Sequence, residues 1–159
     1  MRQEILAALV EAVRQVFNDT DIAIDSVETG EPLAAETQVI SSVGLTGDLK
    51  GIVMLSTDRE GASGIVRSMA GGLRFPEPGE GLSELQLAAI GEISNQIAGR
   101  AITLLFDQGL RCDITPPAVV AASHLQSLVP DVAESSQQTF RGPFGRLSIF
   151  VGIQHADRG

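Results

Sequence analysis

The stretch from Leu82 to Gly109 constrains this chain most. Ser83 is placed as an N-cap with Gln86 three residues on, a capping box, and Leu82 and Leu87 are spaced for a hydrophobic staple. Gly109 supplies the C-terminal stop. The helix so bounded has about 25 residues and a length of roughly 37 Å at 1.5 Å per residue. On a wheel of about 100° per residue, Leu82, Ile90, Ile93, Ile97, Ala101 and Leu104 gather on one side and are expected to face a sheet. Ala88, Gly91, Glu92, Asn95 and Gly99 lie roughly opposite.

The remaining periods supply that sheet and two more helices. Ile5, Leu6, Leu9, Val10, Val13 and Phe17 recur at helical spacing and predict an amphipathic helix over 2–18. Alternation at Ile22, Ile24 and Val27 and around 39–43, then the apolar run Ile52–Leu55, predicts strands, with a hairpin turn at Thr46–Gly51. A second helix is expected over about 58–70, stopped by Gly71 and Gly72, and the segment 73–81 reads as an internal loop. Strands are expected again around 111–115, 134–141 and 146–154, the last two joined at Gly142–Gly145. The order predicts one α/β domain over residues 1–159, two-layered, with long helices on a largely antiparallel sheet and the capped helix outermost. Its halves share a coarse order of long helix, short strand and hairpin. The apolar strand Leu147–Ile153 reads as a possible sheet edge, through which a homodimer would form.

Composition removes several functions. With 11 Lys and Arg against 20 Asp and Glu, net charge is −9, most of it in the first half. Nucleic-acid binding needs clustered cations, and none occur; the same deficit argues against an anionic membrane surface. No apolar run approaches the roughly 20 residues of a membrane span, and no secretory signal is visible, so a cytoplasmic location is expected. The single cysteine, Cys112, sits in an alternating run and is expected as a buried structural thiol. His124 and His155 stand apart from acidic clusters and read as solvated positions, so no metal of the chain's own is expected. Gly44, Gly47 and Gly51 are turn glycines, because no strand leads from them into a helix. Asp19, Asp21 and Asp25 lack the glycine and terminal Glu of a calcium loop.

The outward face of the long helix is where chemistry can sit. Glu92 and Asn95, three apart, are neighbours on it. Gly91 and Gly99 each cost about 1 kcal/mol of helix propensity against alanine. Two readings stay open from the wheel alone: the glycines admit another element of the same fold beside a solvated Glu and Asn, or they admit a docking partner.

The run from Leu82 to Gly99, LSELQLAAIGEISNQIAG, resembles the signature helix of the CheC/CheX/FliY family of chemotaxis phosphatases. Val43–Gly51 resembles the family's hairpin, and Ile114–Pro117 its strand and proline. The resemblance covers about residues 39 to 120. It implies a CheX-like fold and hydrolysis of the aspartyl phosphate of a response regulator. It assigns Glu92 to pair with the regulator's lysine and Asn95 to orient the attacking water; Ala88, Gly91 and Gly99, the small residues that the wheel sets around them, would then form the docking surface. The regulator would hold the divalent metal, Mg2+, and the chain no cofactor of its own. Two positions depart from the pattern: Ala88 stands where Asp or Ser is usual, and Pro116 and Pro117 lie closer to the Asn than usual. Matching Phe17 to Phe106 sets Gln3 and Leu6 where a second Glu–Asn pair would fall, so one site per chain is expected, as in the CheX type. A non-catalytic adaptor using the same helix, or a purely structural assembly domain, is the alternative.

Overall fold

A computed structural model describes residues 3–29, 39–69, 84–121 and 132–154. The expected cap at Ser83, the staple residue Leu82, the Gly71–Gly72 stop, the 73–81 loop, His124 and His155 lie outside them. Helix α1 spans Gln3–Asp19 and buries Ile5, Ala8, Leu9, Ala12, Val13, Val16 and Phe17, the face its periodicity predicts. Helix α2 spans Arg59–Met69, and α3 spans Glu84–Asp107. The strands are β1 (Ser26–Thr29), β2 (Val39–Gly47), β3 (Gly51–Thr57), β4 (Cys112–Ile114), β5 (Ala118–Ala121), β6 (Glu134–Gly142) and β7 (Gly145–Ile153). Strand β5 has no counterpart among the sequence expectations: four residues after a proline pair carry too little alternation to declare a strand. Its partner β2 supplies the missing instruction, pairing Val39–Ser42 with Ala118–Ala121.

All ladders are antiparallel, in the order β1-β6-β7-β3-β2-β4, with β5 also on β2. Alternate residues of the central strands, Val43, Val53, Leu55, Ile149 and Val151, join the helices' apolar faces in a shared core. Helix α3 packs on α1 and α2 and on β2, β4 and β5, so it is embedded in the helix layer with one face open, and not outermost. Strand β7 pairs with β6 on one side and β3 on the other. It is interior, which corrects the expectation of an edge there; an apolar strand of this length is buried by two neighbours. Cys112 lies on the edge strand β4 and is half-buried and unbonded, less enclosed than expected.

The sheet order reads the same from either end if β1, β2 and β3 exchange with β4, β6 and β7. Each half's first strand pairs with the other half's hairpin: β1 with β6, β4 with β2. The coarse duplication is therefore a feature of the fold, with the halves interlocked. The long helices end alike. In α1, Ile22 N–H donates to the Phe17 carbonyl (2.8 Å) and Asp21 N–H to that of Asn18 (3.2 Å). In α3, Leu110 N–H donates to Leu105 (3.0 Å) and Gly109 N–H to Phe106 (2.9 Å). Both are complete Schellman closures, with Asp21 at φ 56° and Gly109 at φ 90° in the left-handed position. Superposing the closures sets Asp21 on Gly109, and hence Glu4 on Glu92 and Ala7 on Asn95. The register is one residue off that of the phenylalanine match. The Glu is kept in α1 and the Asn is not.

Candidate functional site

The buried side of α3 is Ile90, Ile93, Ile97, Ala101 and Leu105. Leu104, expected there, is half-buried beside Leu105, which continues the four-residue step from Ile97 and Ala101. The opposite side carries Ala88 and Glu92 exposed, and Asn95 and Gly99 half-buried. Glu92 and Asn95 are one turn apart on one face, with Cβ atoms about 5–6 Å apart at this spacing. Gln96 Nε2 donates to Glu92 Oε1 at 3.2 Å, steadying the carboxylate from the next turn. Among the described residues no hydrogen bond engages the half-buried Asn95 carboxamide. One turn farther on, Thr103 Oγ1 donates to the Gly99 carbonyl (3.0 Å), and Arg100 pairs with Asp19 of α1, tying the two long helices together.

The two glycines do different work. Gly91 is buried, and a Cβ there would meet Val119 Cγ2 at 3.2 Å and Pro117 Cγ at 3.6 Å. This corrects its expected place on the open face: β5 and the turn before it cover that position. The cover is held by β2, since Gly44 N–H donates to Thr115 Oγ1 (2.8 Å) and Thr115 N–H to the Gly44 carbonyl (3.0 Å). Helical spacing alone could not reveal this, because the covering strand is a tertiary partner. At Gly99 an added Cβ meets no atom within 4 Å among the described residues. Among the described residues, no packing contact accounts for its small size. The open surface is thus Ala88, Glu92, Asn95 and Gly99, with Gly91 beneath its margin.

Chemically this is a carboxylate and a neutral amide on a rigid helix. Among the described residues no three His, Cys, Asp or Glu side chains gather as metal ligands, and no helix is long and apolar enough to cross a membrane. Sequence reasoning passed over Gln96, although its spacing of four from Glu92 is the signal for such a contact. It passed over Phe106 as well, treating it only as a helix-end marker.

Residues 39–141 match the family model described as chemotaxis phosphatase CheX. The chain belongs to the CheX family. A curated CheX-family relative, the CheY-P phosphatase CheX of Thermotoga maritima, is 32% identical over 131 residues, covering 79% of this chain and 81% of the relative. The fold superposes on a CheC-like superfamily protein from Shewanella sp. PV-4 with a TM-score of 0.82 at 20% identity, covering 98% of this chain and 100% of that one. It also superposes on CheX from Borrelia burgdorferi, solved as a complex with CheY, BeF3 and Mg2+, with a TM-score of 0.77 at 24% identity and coverage of 94% and 97%. These structural likenesses carry the CheX fold. The pair on α3 lies inside the matched residues.

Proposed function

We propose that this protein is a phosphatase that hydrolyses the aspartyl phosphate of a response regulator, with Glu92 and Asn95 as its working residues. The observation that carries the reading is the open face of α3: a helix whose opposite side is core presents one carboxylate and one carboxamide a turn apart, the amide without a hydrogen bond among the described residues. Membership of the CheX family supplies the reaction, and the T. maritima relative's name gives the same substrate class.

Hydrolysis of an acyl phosphate asks for positioning and charge stabilisation more than for covalent help. Water attacks phosphorus, the bond from phosphorus to the aspartyl oxygen breaks, and inorganic phosphate leaves with the carboxylate restored. The Asn95 carboxamide holds the water in line, accepting from it and donating toward the phosphoryl oxygens. As a neutral group it does not repel the phosphate. Glu92, held by Gln96, pairs with a cation of the regulator and sets the register of docking. The divalent metal belongs to the regulator, in keeping with the Mg2+ of the B. burgdorferi complex. This reading sets the protein in the cytoplasm beside its regulator. The sheet face away from the helices carries Ile52 and Phe150 half-buried and Val120 exposed, which supports pairing of two copies through that face.

The test is phosphate release from a panel of phosphorylated receiver domains. Asn95→Ala should fold normally, since the residue lies on the side of α3 away from the core, and lower turnover at least tenfold, about 1.4 kcal/mol of barrier. Unchanged turnover in that variant refutes the assignment. Binding of a receiver without any phosphate release by the native protein would mark an adaptor.

A further inference from the structure

The open face of α3 does not stop at Gly99. Phe106 follows Asn95 by eleven residues, which at about 100° per residue brings it within about 20° of the same line. Ile102, half-buried, lies between them on that stripe. Phe106 is 58% exposed, the most exposed large apolar side chain among the described residues. It is also held. Its carbonyl accepts from Gly109 N–H in the helix closure (2.9 Å), and the Arg111 guanidinium carbon lies 5.8 Å from its ring centroid. Arg111 is itself pinned, its N–H donating to Asp48 Oδ2 (2.8 Å) while Asp48 N–H donates to the Arg111 carbonyl (2.9 Å). The β2–β3 hairpin thus anchors the backbone from which the Arg111 side chain reaches the ring. An aromatic that is both exposed and preorganised costs little further ordering when a partner covers it, which is the profile of an interface anchor.

We propose that Phe106, steadied by Arg111, is the aromatic anchor at the far end of the surface that docks the phosphorylated receiver domain, governing affinity and taking no part in the chemistry. The inference rests on the reading of α3 as the docking helix and extends that surface along the same face. The reach is right: Phe106 lies roughly 16 Å along the helix from Asn95. A standard interface of about 800 Å² per partner is about 30 Å across, so a receiver centred on Glu92 and Asn95 reaches the ring.

The experiment uses the full chain and a receiver that the native protein dephosphorylates, activated with BeF3 and Mg2+ for binding and phosphorylated for turnover. Phe106→Ala should raise both Kd and KM about tenfold, with kcat and melting temperature unchanged. Phe106→Tyr should restore the native values, and Arg111→Gln should raise Kd by about threefold. Asn95→Ala, run beside them, should lose kcat and keep Kd. If Phe106→Ala keeps native Kd and KM while Asn95→Ala loses turnover, the anchor is wrong and the catalytic reading stands. If Asn95→Ala keeps full turnover, the underlying reading fails on its own account. If Phe106→Ala leaves receiver affinity intact and shifts the protein's mass in light scattering, the ring serves a second copy and the proposal is overturned.

Discussion

At the scale of the residue, the two glycines of α3 separate fold from function. Gly91 lies tightly against the side chains of Val119 and Pro117, whereas at Gly99 an added Cβ meets nothing among the described residues. Gly91→Leu forces atoms into an occupied site and should cost about 1–3 kcal/mol by overpacking. Gly99→Leu removes a helix-interior glycine where an added Cβ meets no described atom, and should leave the melting temperature equal or higher. If α3 docks a receiver, Gly99→Leu should nonetheless block binding, because a bulky side chain then stands beside Asn95. A thermal melt and a binding titration on the pair decide the matter. A destabilised Gly99→Leu that binds normally would place that face inside the fold and remove it from the docking surface. The residue types at 92 and 95 and their shared face were legible from spacing. The burial of Gly91 was not, since it depends on a strand more than 25 residues later whose own signal is weak.

At the scale of the element, α1 and α3 share length, apolar period and closure, and differ in what they show to solvent. Both closures need a left-handed residue, and only α3 uses glycine for it. Non-glycine residues there cost roughly 1–2 kcal/mol, which Asp offsets in part through its short polar side chain. Among the described residues no atom lies within 4 Å of a Cβ added at Gly109, so Gly109→Ala tests backbone strain with little packing change. It should lower unfolding free energy by about 1 kcal/mol, and Asp21→Gly should raise it by a few tenths. Urea denaturation reads both. A neutral Gly109→Ala would mean the closure rearranges freely, and with it the mount of Phe106. The extent of each helix was readable because a 3.6-residue period bounded by turn residues needs no information from elsewhere in the chain.

At the scale of the whole molecule, the sheet interlocks two like halves, and this leaves β1 at one end of the order and β4 at the other. The interior place of β7 removes the terminal strand as a pairing edge and directs attention to the apolar face opposite the helices, with Ile52, Phe150 and Val120. A homodimer through that face should appear at micromolar concentration in light scattering, and Val120→Lys should shift it toward monomer without loss of melting temperature. A native protein that is monomeric across that range would contradict pairing. Local chemistry in the sequence determined the helices, most of the strands, the apolar face of α3 and the Glu92–Asn95 pair, because periodicity and turn residues act over a few neighbours. Tertiary structure alone decided which strands adjoin, that Gly91 lies under β5, that β7 is central, and that Phe106 stands exposed beneath Arg111. Each of those depends on contacts between segments far apart in the chain, and no local period encodes where a distant strand will come to rest.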